Sequence, residues 1–134
     1  MAGGNEYADI LAKLIEKTEG PIDLHDCLIW TGSIKTVKGK YKYGRVKNPF
    51  QSITAAQSMG LHKAVYYLNA NQNPDELATE DPTGSQYEIS HLCHNSLCVN
   101  VKHLVRETHC VNQERIHCKK QGFCTKGHVP NCLF

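Results

Sequence analysis

Residues 90–104 read Ser-His-Leu-Cys-His-Asn-Ser-Leu-Cys-Val-Asn-Val-Lys-His-Leu, and the rest of the chain is best read outward from them. They place Cys93, Cys98 and His103 in a Cys-x4-Cys-x4-His spacing. Three soft or borderline donors this close together suit zinc, which takes thiolate and imidazole in tetrahedral geometry. A structural site takes a fourth protein ligand, and Cys27, the one cysteine ahead of this block, is the natural candidate. Further on, Cys118-x5-Cys124-x3-His128-x3-Cys132 supplies a second Cys3His set, interrupted by Gly122, Gly127 and Pro130 as a tight metal loop requires. Cys110 is then left over, expected as a small buried side chain.

Composition supports metal over disulfides. The chain has 7 Cys and 8 His, and six of each fall in residues 91–134. An odd cysteine count, with an N-terminus (Met-Ala-Gly-Gly-Asn-Glu-Tyr) that is neither basic nor apolar, argues against an exported disulfide framework. The expectation is an intracellular protein, nuclear in a eukaryotic host. No apolar run approaches the roughly 20 residues of a membrane span. At 134 residues, 40% hydrophobic and 7% aromatic, the chain has one domain's length and a lean core. Structural zinc, worth roughly 10–16 kcal/mol in small peptides, would exceed a typical domain's whole stability and offset that leanness. A single domain over 1–134 is expected, with an N-terminal helix within 1–20, a basic strand region over 27–68 and the two-zinc block over 87–134.

Net charge is only +2, but its distribution is uneven. From Cys27 to Pro74 there is no acid, against Lys35, Lys38, Lys40, Lys42, Arg45, Lys47 and Lys63. From Lys102 onward six bases stand against Glu107 and Glu114. Together these stretches describe a basic face, although lysines also commonly defend a solvated strand edge.

Apolar spacing predicts an amphipathic helix over 5–18, with Ile10, Leu11, Leu14 and Ile15 on one stripe and Gly20-Pro21 ending it. Strands are expected over Cys27–Thr31 and Tyr41–Lys47, a short helix over Leu61–Leu68 and a long polar loop over 69–86. His91 would sit on a strand two residues before a zinc cysteine, and Asn112 on a short helix over Thr108–His117. A His on a strand, a zinc loop, a second strand and a helix bearing an Asn make a ββα-metal layout. There the His can take a proton from water while the Asn oxygen binds a hard divalent ion. His25, His62, His94, His109 and His117 read as structural or surface residues.

The stretch Ser90–Leu104 resembles the His-Cys box of homing endonucleases, within the HNH (His-Me finger) nuclease superfamily. The likeness continues through Asn112, Arg115 and the second Cys-rich loop, and Cys27 and Tyr43-Gly44-Arg45-Val46 resemble what precedes the box. The resemblance implies an α+β fold, a small zinc-stabilised ββα-metal domain with an N-terminal helix and antiparallel strands. It implies two structural Zn2+, one on Cys27, Cys93, Cys98 and His103, the other on Cys118, Cys124, His128 and Cys132. It further implies His91 as general base, Asn112 as the one protein ligand of a catalytic Mg2+ (Mn2+ substituting), and Asn100 bracing the loop between the two strands. Arg115, one helical turn beyond Asn112, would contact a phosphate. The family's phosphate-stabilising Arg has no counterpart around residues 57–63, where Lys63 or His62 would substitute.

The function expected on this reading is DNA phosphodiester hydrolysis leaving 5′-phosphate and 3′-hydroxyl ends. Lys38, Lys40, Lys42, Tyr43, Arg45 and Lys47 would track the DNA. The missing Arg favours the alternative, a catalytically weak or inactive zinc-stabilised nucleic-acid-binding module. Only Leu133 and Phe134 follow the last ligand, so a monomer is expected rather than a tail-exchanged homodimer.

Overall fold

The computed structural model describes residues 4–22, 27–32, 34–37, 41–50, 58–124 and 127–133. Among them run α1 (Gly4–Ile15), β1 (Thr18–Ile22), β2 (Cys27–Trp30), β3 (Ile34–Val37), β4 (Tyr41–Lys47), β5 (Ser58–Gly60), α2 (Leu61–Ala70), β6 (Tyr87–His91), β7 (Leu104–Thr108) and α3 (His109–Gln121). The strands form three antiparallel groups: β1-β2, β3-β4-β5 and β6-β7. The fold is α+β, and no helix among the described residues is long and apolar enough to cross a membrane.

The first helix is shorter than its apolar stripe predicts. It stops at Ile15, and the residues expected to complete and end it become β1 instead. Pairing with β2 outweighs local propensity there, with Thr18 opposite Trp30 and Thr31 donating to the Lys17 carbonyl at 2.8 Å. Ile10, Leu11, Leu14 and Ile15 do face the core, and Tyr7 packs edge-on against Phe50 at 5.6 Å between ring centroids. Burying that stripe holds so short a helix in place.

The core gathers around α2. Leu61, Ala64, Val65, Tyr67 and Leu68 are buried there against Trp30, Met59, Ile89, Val99 and Leu104. Gly44 lets β4 approach this helix, since a Cβ there would lie 2.8 Å from both Leu61 Cδ2 and Trp30 Cδ1. Asn71 ends α2 in the left-handed region (φ 55°), a conformation Asn tolerates.

The ββα unit follows. β6 pairs with β7 from Tyr87 opposite Thr108 to His91 opposite Leu104. Thr108 then caps α3 by accepting from the Val111 amide, and Gly122 (φ 82°) ends it by donating to the Cys118 carbonyl. This helix runs four residues past the expected end at His117, reaching the first ligand of the C-terminal Cys/His set.

Candidate metal centres and active-site cleft

Two clusters bring the eight Cys and His donors together in the partition their spacing suggests. Cys27, Cys93, Cys98 and His103 form one and Cys118, Cys124, His128 and Cys132 the other, each with all four donor atoms within 4.8 Å of one another. His103 Nδ1 lies 3.6 Å from Cys27 Sγ and 3.4 Å from Cys98 Sγ. His128 Nδ1 lies 3.6, 3.4 and 3.7 Å from the sulfurs of Cys118, Cys124 and Cys132. A tetrahedral zinc with ordinary Zn–S and Zn–N bonds requires an N···S edge of about 3.5 Å, so both clusters fit the ion.

The first cluster is built across the chain. β2 supplies Cys27, and the 93–103 loop supplies the rest, held to β2 by Trp30 N to Leu97 O (3.0 Å) and Val99 N to Leu28 O (2.8 Å). Asn100 shapes the return by accepting from the Lys102 amide at 3.0 Å. The second cluster hangs on α3. The Nε2–H of His128 donates to Glu114 at 3.1 Å, the outer carboxylate that commonly orients a ligating imidazole.

Arg115 corrects the sequence reading. It is 1% exposed and grips Glu107 through Nε (2.6 Å) and Nη2 (3.0 Å), while Nη1 reaches Cys132 Sγ at 3.4 Å. Burial would lower its pKa, but the Glu107 carboxylate raises it above the ordinary value. Its fork is consumed beneath the second cluster, so it supports that cluster and is not among the residues that line the cleft. Cys110 is corrected too: it is exposed in the first turn of α3.

Beside the first cluster lies a cleft of about 1300 Å3, between β4 and the start of α2 on one side and the ββα unit on the other. Its lining includes His91, Asn112, Glu88, Tyr43, Arg45, His62, Lys63 and His94. The His91 ring is hydrogen-bonded by the Cys98 backbone, and its Nε2 is buried with no partner. Burial lowers its pKa to about 3, the neighbouring His62 ring adding to the effect, so the imidazole is neutral at pH 7. His62 stacks on it at 4.7 Å and on Tyr43 at 5.6 Å, and burial, with Lys63, lowers its own pKa to about 4. His94, in the left-handed region at φ 61°, is likewise lowered to about 4 by burial and then Lys119. These two rings therefore belong to the cleft wall, which spacing alone did not indicate.

Asn112 donates its amide nitrogen to Glu88, a residue the sequence offered no reason to single out. The basic strand is only partly covered by the described residues. Lys38 and Lys40 lie outside them, as does the Lys42 side chain, while Lys47 is exposed on β4. Arg45, opposite Gly60 in the β4-β5 pair, lines the cleft. An Arg on a strand ahead of the box therefore does line the cleft, 12 residues before the 57–63 stretch begins. Lys63 is exposed at the cleft and His62 is packed inside it.

Comparison with known proteins bears on the same residues. No curated protein and no solved structure matches the chain. A family model described as the zinc-binding loop region of homing endonuclease matches residues 26–132, which takes in both clusters, the loop between β6 and β7, and α3. With eight donors closed into two zinc-sized cages along that same stretch, the chain belongs to the family of homing-endonuclease zinc-binding domains.

Proposed function

We propose that this protein is a metal-dependent DNA endonuclease in which His91 is the general base and Asn112 the protein ligand of a divalent ion. One observation carries the reading: His91, with its buried and unpartnered Nε2, and the Asn112 amide line one cleft. His91 Nε2 takes the proton of a water that attacks phosphorus, and the Cys98 backbone holds the ring in place as it does so. The water's oxygen joins the phosphorus as the bond to the 3′ oxygen breaks, leaving 5′-phosphate and 3′-hydroxyl ends. The Asn112 oxygen would hold a divalent ion, which would supply Lewis-acid charge to the reacting phosphate. Mg2+ fits a single neutral oxygen donor with water and phosphate completing its shell, and Mn2+ would substitute.

Arg45 is the side chain best placed to meet the charge that develops on the phosphate, since its planar fork matches two phosphate oxygens. Lys63 and Lys119 at the same cleft add positive charge along the path of a polyanion. Arg45 removes the main argument for an inactive binding module, which rested on the lack of such a residue. The zinc clusters have full ligand sets and act by holding the His91 loop and α3.

Supercoiled plasmid incubated with the zinc-loaded protein tests this. Cleavage with Mg2+, its loss on omitting Mg2+, and a fall of about 10²–10⁴-fold in His91→Ala with both zincs retained are expected. Binding of plasmid without any Mg2+-dependent cleavage would instead establish the inactive module.

A further inference from the structure

We propose that Glu88 is a positioning residue that sets which end of the Asn112 amide faces the cleft. The inference rests on the reading of Asn112 as a divalent-ion ligand and deepens it. An asparagine side chain is nearly symmetrical in shape: its terminal torsion is broad and roughly two-fold, so oxygen and nitrogen can exchange places at little cost. Only one of the two ends serves a cation. The NH2 end would place two donor hydrogens where a lone pair is required.

Glu88 breaks that symmetry. Its carboxylate is an acceptor only, and Asn112 gives it the amide nitrogen, which leaves Oδ1 on the opposite branch of the amide. The carboxylate is itself held from a second side, by His109 Nδ1 at 3.2 Å from Oε1 and 3.1 Å from Oε2. His109 and Asn112 are three residues apart on α3, so one helix face clasps Glu88 at two points. That His109–Glu88 contact is largely exposed and adds little stability by itself.

The strand pairing makes an acid at this position noteworthy. In the β6-β7 register Glu88 stands directly opposite Glu107, a like-charge pair that disfavours the sheet. Glu107 is occupied by Arg115, so the polar partners of Glu88 come from His109 and Asn112. β6 also carries His91 three residues further on. One strand thus presents the base and orients the ligand across from it, so the two functional groups share a rigid support.

The test uses the zinc-loaded protein and three variants, Glu88→Gln, Glu88→Leu and Asn112→Ala, each checked for two zincs per chain. In metal-free buffer, the side-chain amide of Asn112 in the wild type is expected to show one strongly downfield proton in its 15N–1H spectrum. That signature should weaken in Glu88→Gln, whose amide can donate as well as accept and so no longer fixes the flip, and vanish in Glu88→Leu. Mn2+ binding followed by electron paramagnetic resonance should weaken about 10–100-fold in Glu88→Leu, the usual cost of losing an outer partner. Glu88→Gln should recover part of it. A wild-type Asn112 amide without the shifted proton would overturn the proposal, as would wild-type Mn2+ affinity in Glu88→Leu. A full wild-type amide signature in Glu88→Leu would also overturn it, since Asn112 would then be oriented without the carboxylate. Failure of the underlying reading shows separately: Asn112→Ala would then bind Mn2+ like the wild type whatever the amide spectrum reports.

Discussion

The two Cys3His clusters share a donor set and nearly the same N···S distances, yet they sit in the chain very differently. The first joins residues 76 apart, Cys27 and His103, while the second lies wholly within 118–132. Loop-closure entropy alone separates them by only about 1.5 kcal/mol, so chain length is not the main difference. What each cluster is attached to matters more. The first binds β2 to the 93–103 loop where Trp30 and Val99 enter the core, 4% and 2% exposed. The second rests on charged residues of α3, Glu114 and Arg115, and returns the chain so that Leu133 N donates to Leu92 O at 2.9 Å. Identical chemistry therefore serves as a closure of the fold in one place and as a clamp on the helix that lines its cleft in the other.

The sharpest way to break that distinction is Cys27→Ser. Loss of the first zinc should unfold the domain outright, because a structural zinc is worth more than the net stability of a typical domain. Far-UV circular dichroism and zinc analysis, with wild type at two per chain, would check it. Cys132→Ser should come next, losing one zinc and the protection of the Leu133 amide while the Trp30 core still melts cooperatively. Equal unfolding by both variants would erase the contrast between closure and clamp.

Arg115→Met probes the charged support of the second cluster alone. It strands Glu107, which is 10% exposed at its side chain, and should cost about 3–5 kcal/mol in denaturant unfolding. Zinc at the second cluster should become easier to chelate, with the first unchanged. Arg115→Lys should rescue only part of this, since an ammonium lacks the fork that spans both Glu107 oxygens and the Cys132 sulfur.

The smallest effect expected is acid sensitivity beside the first cluster. The folded pKa of His62, about 4, lies below its ordinary 6.5. The unfolded chain therefore binds a proton that the folded one refuses as pH falls through that window. Stability is lost from about pH 6.5 down to about 4 and changes no further from this group below that, at most about 2 kcal/mol at pH 5. Thermal melts of wild type and His62→Phe should converge or cross as pH is lowered through this range. A constant difference between them would mean that His62 is protonated in the folded protein.

Much of this architecture was legible in residue order. Ligand spacing depends on local chain geometry, so Cys93, Cys98 and His103, and Cys118 through Cys132, could be grouped by eye. Cys27 followed because one donor was missing and one early cysteine remained. The ββα order was legible from the same local spacing, but the end of α3 was not: Gly122 reads as part of the metal loop, and in the fold it caps the helix. β1 was not, since a strand containing Gly20 and Pro21 exists only because β2 lies alongside it.

Residue order alone carries the metal chemistry and the succession of His91, zinc loop and α3, because those depend on donor type and short-range spacing. Where the polar side chains are spent depends instead on the fold. Arg115 and Asn112 lie three residues apart on one helix, yet one is drawn beneath a cluster by Glu107 and the other is held at the cleft by Glu88. Arg45 reaches the cleft through the pairing of β4 with β5, and His62 through the start of α2. A side chain's partner is set by what the fold brings within hydrogen-bond distance, about 3 Å, and periodicity along the chain does not encode that distance.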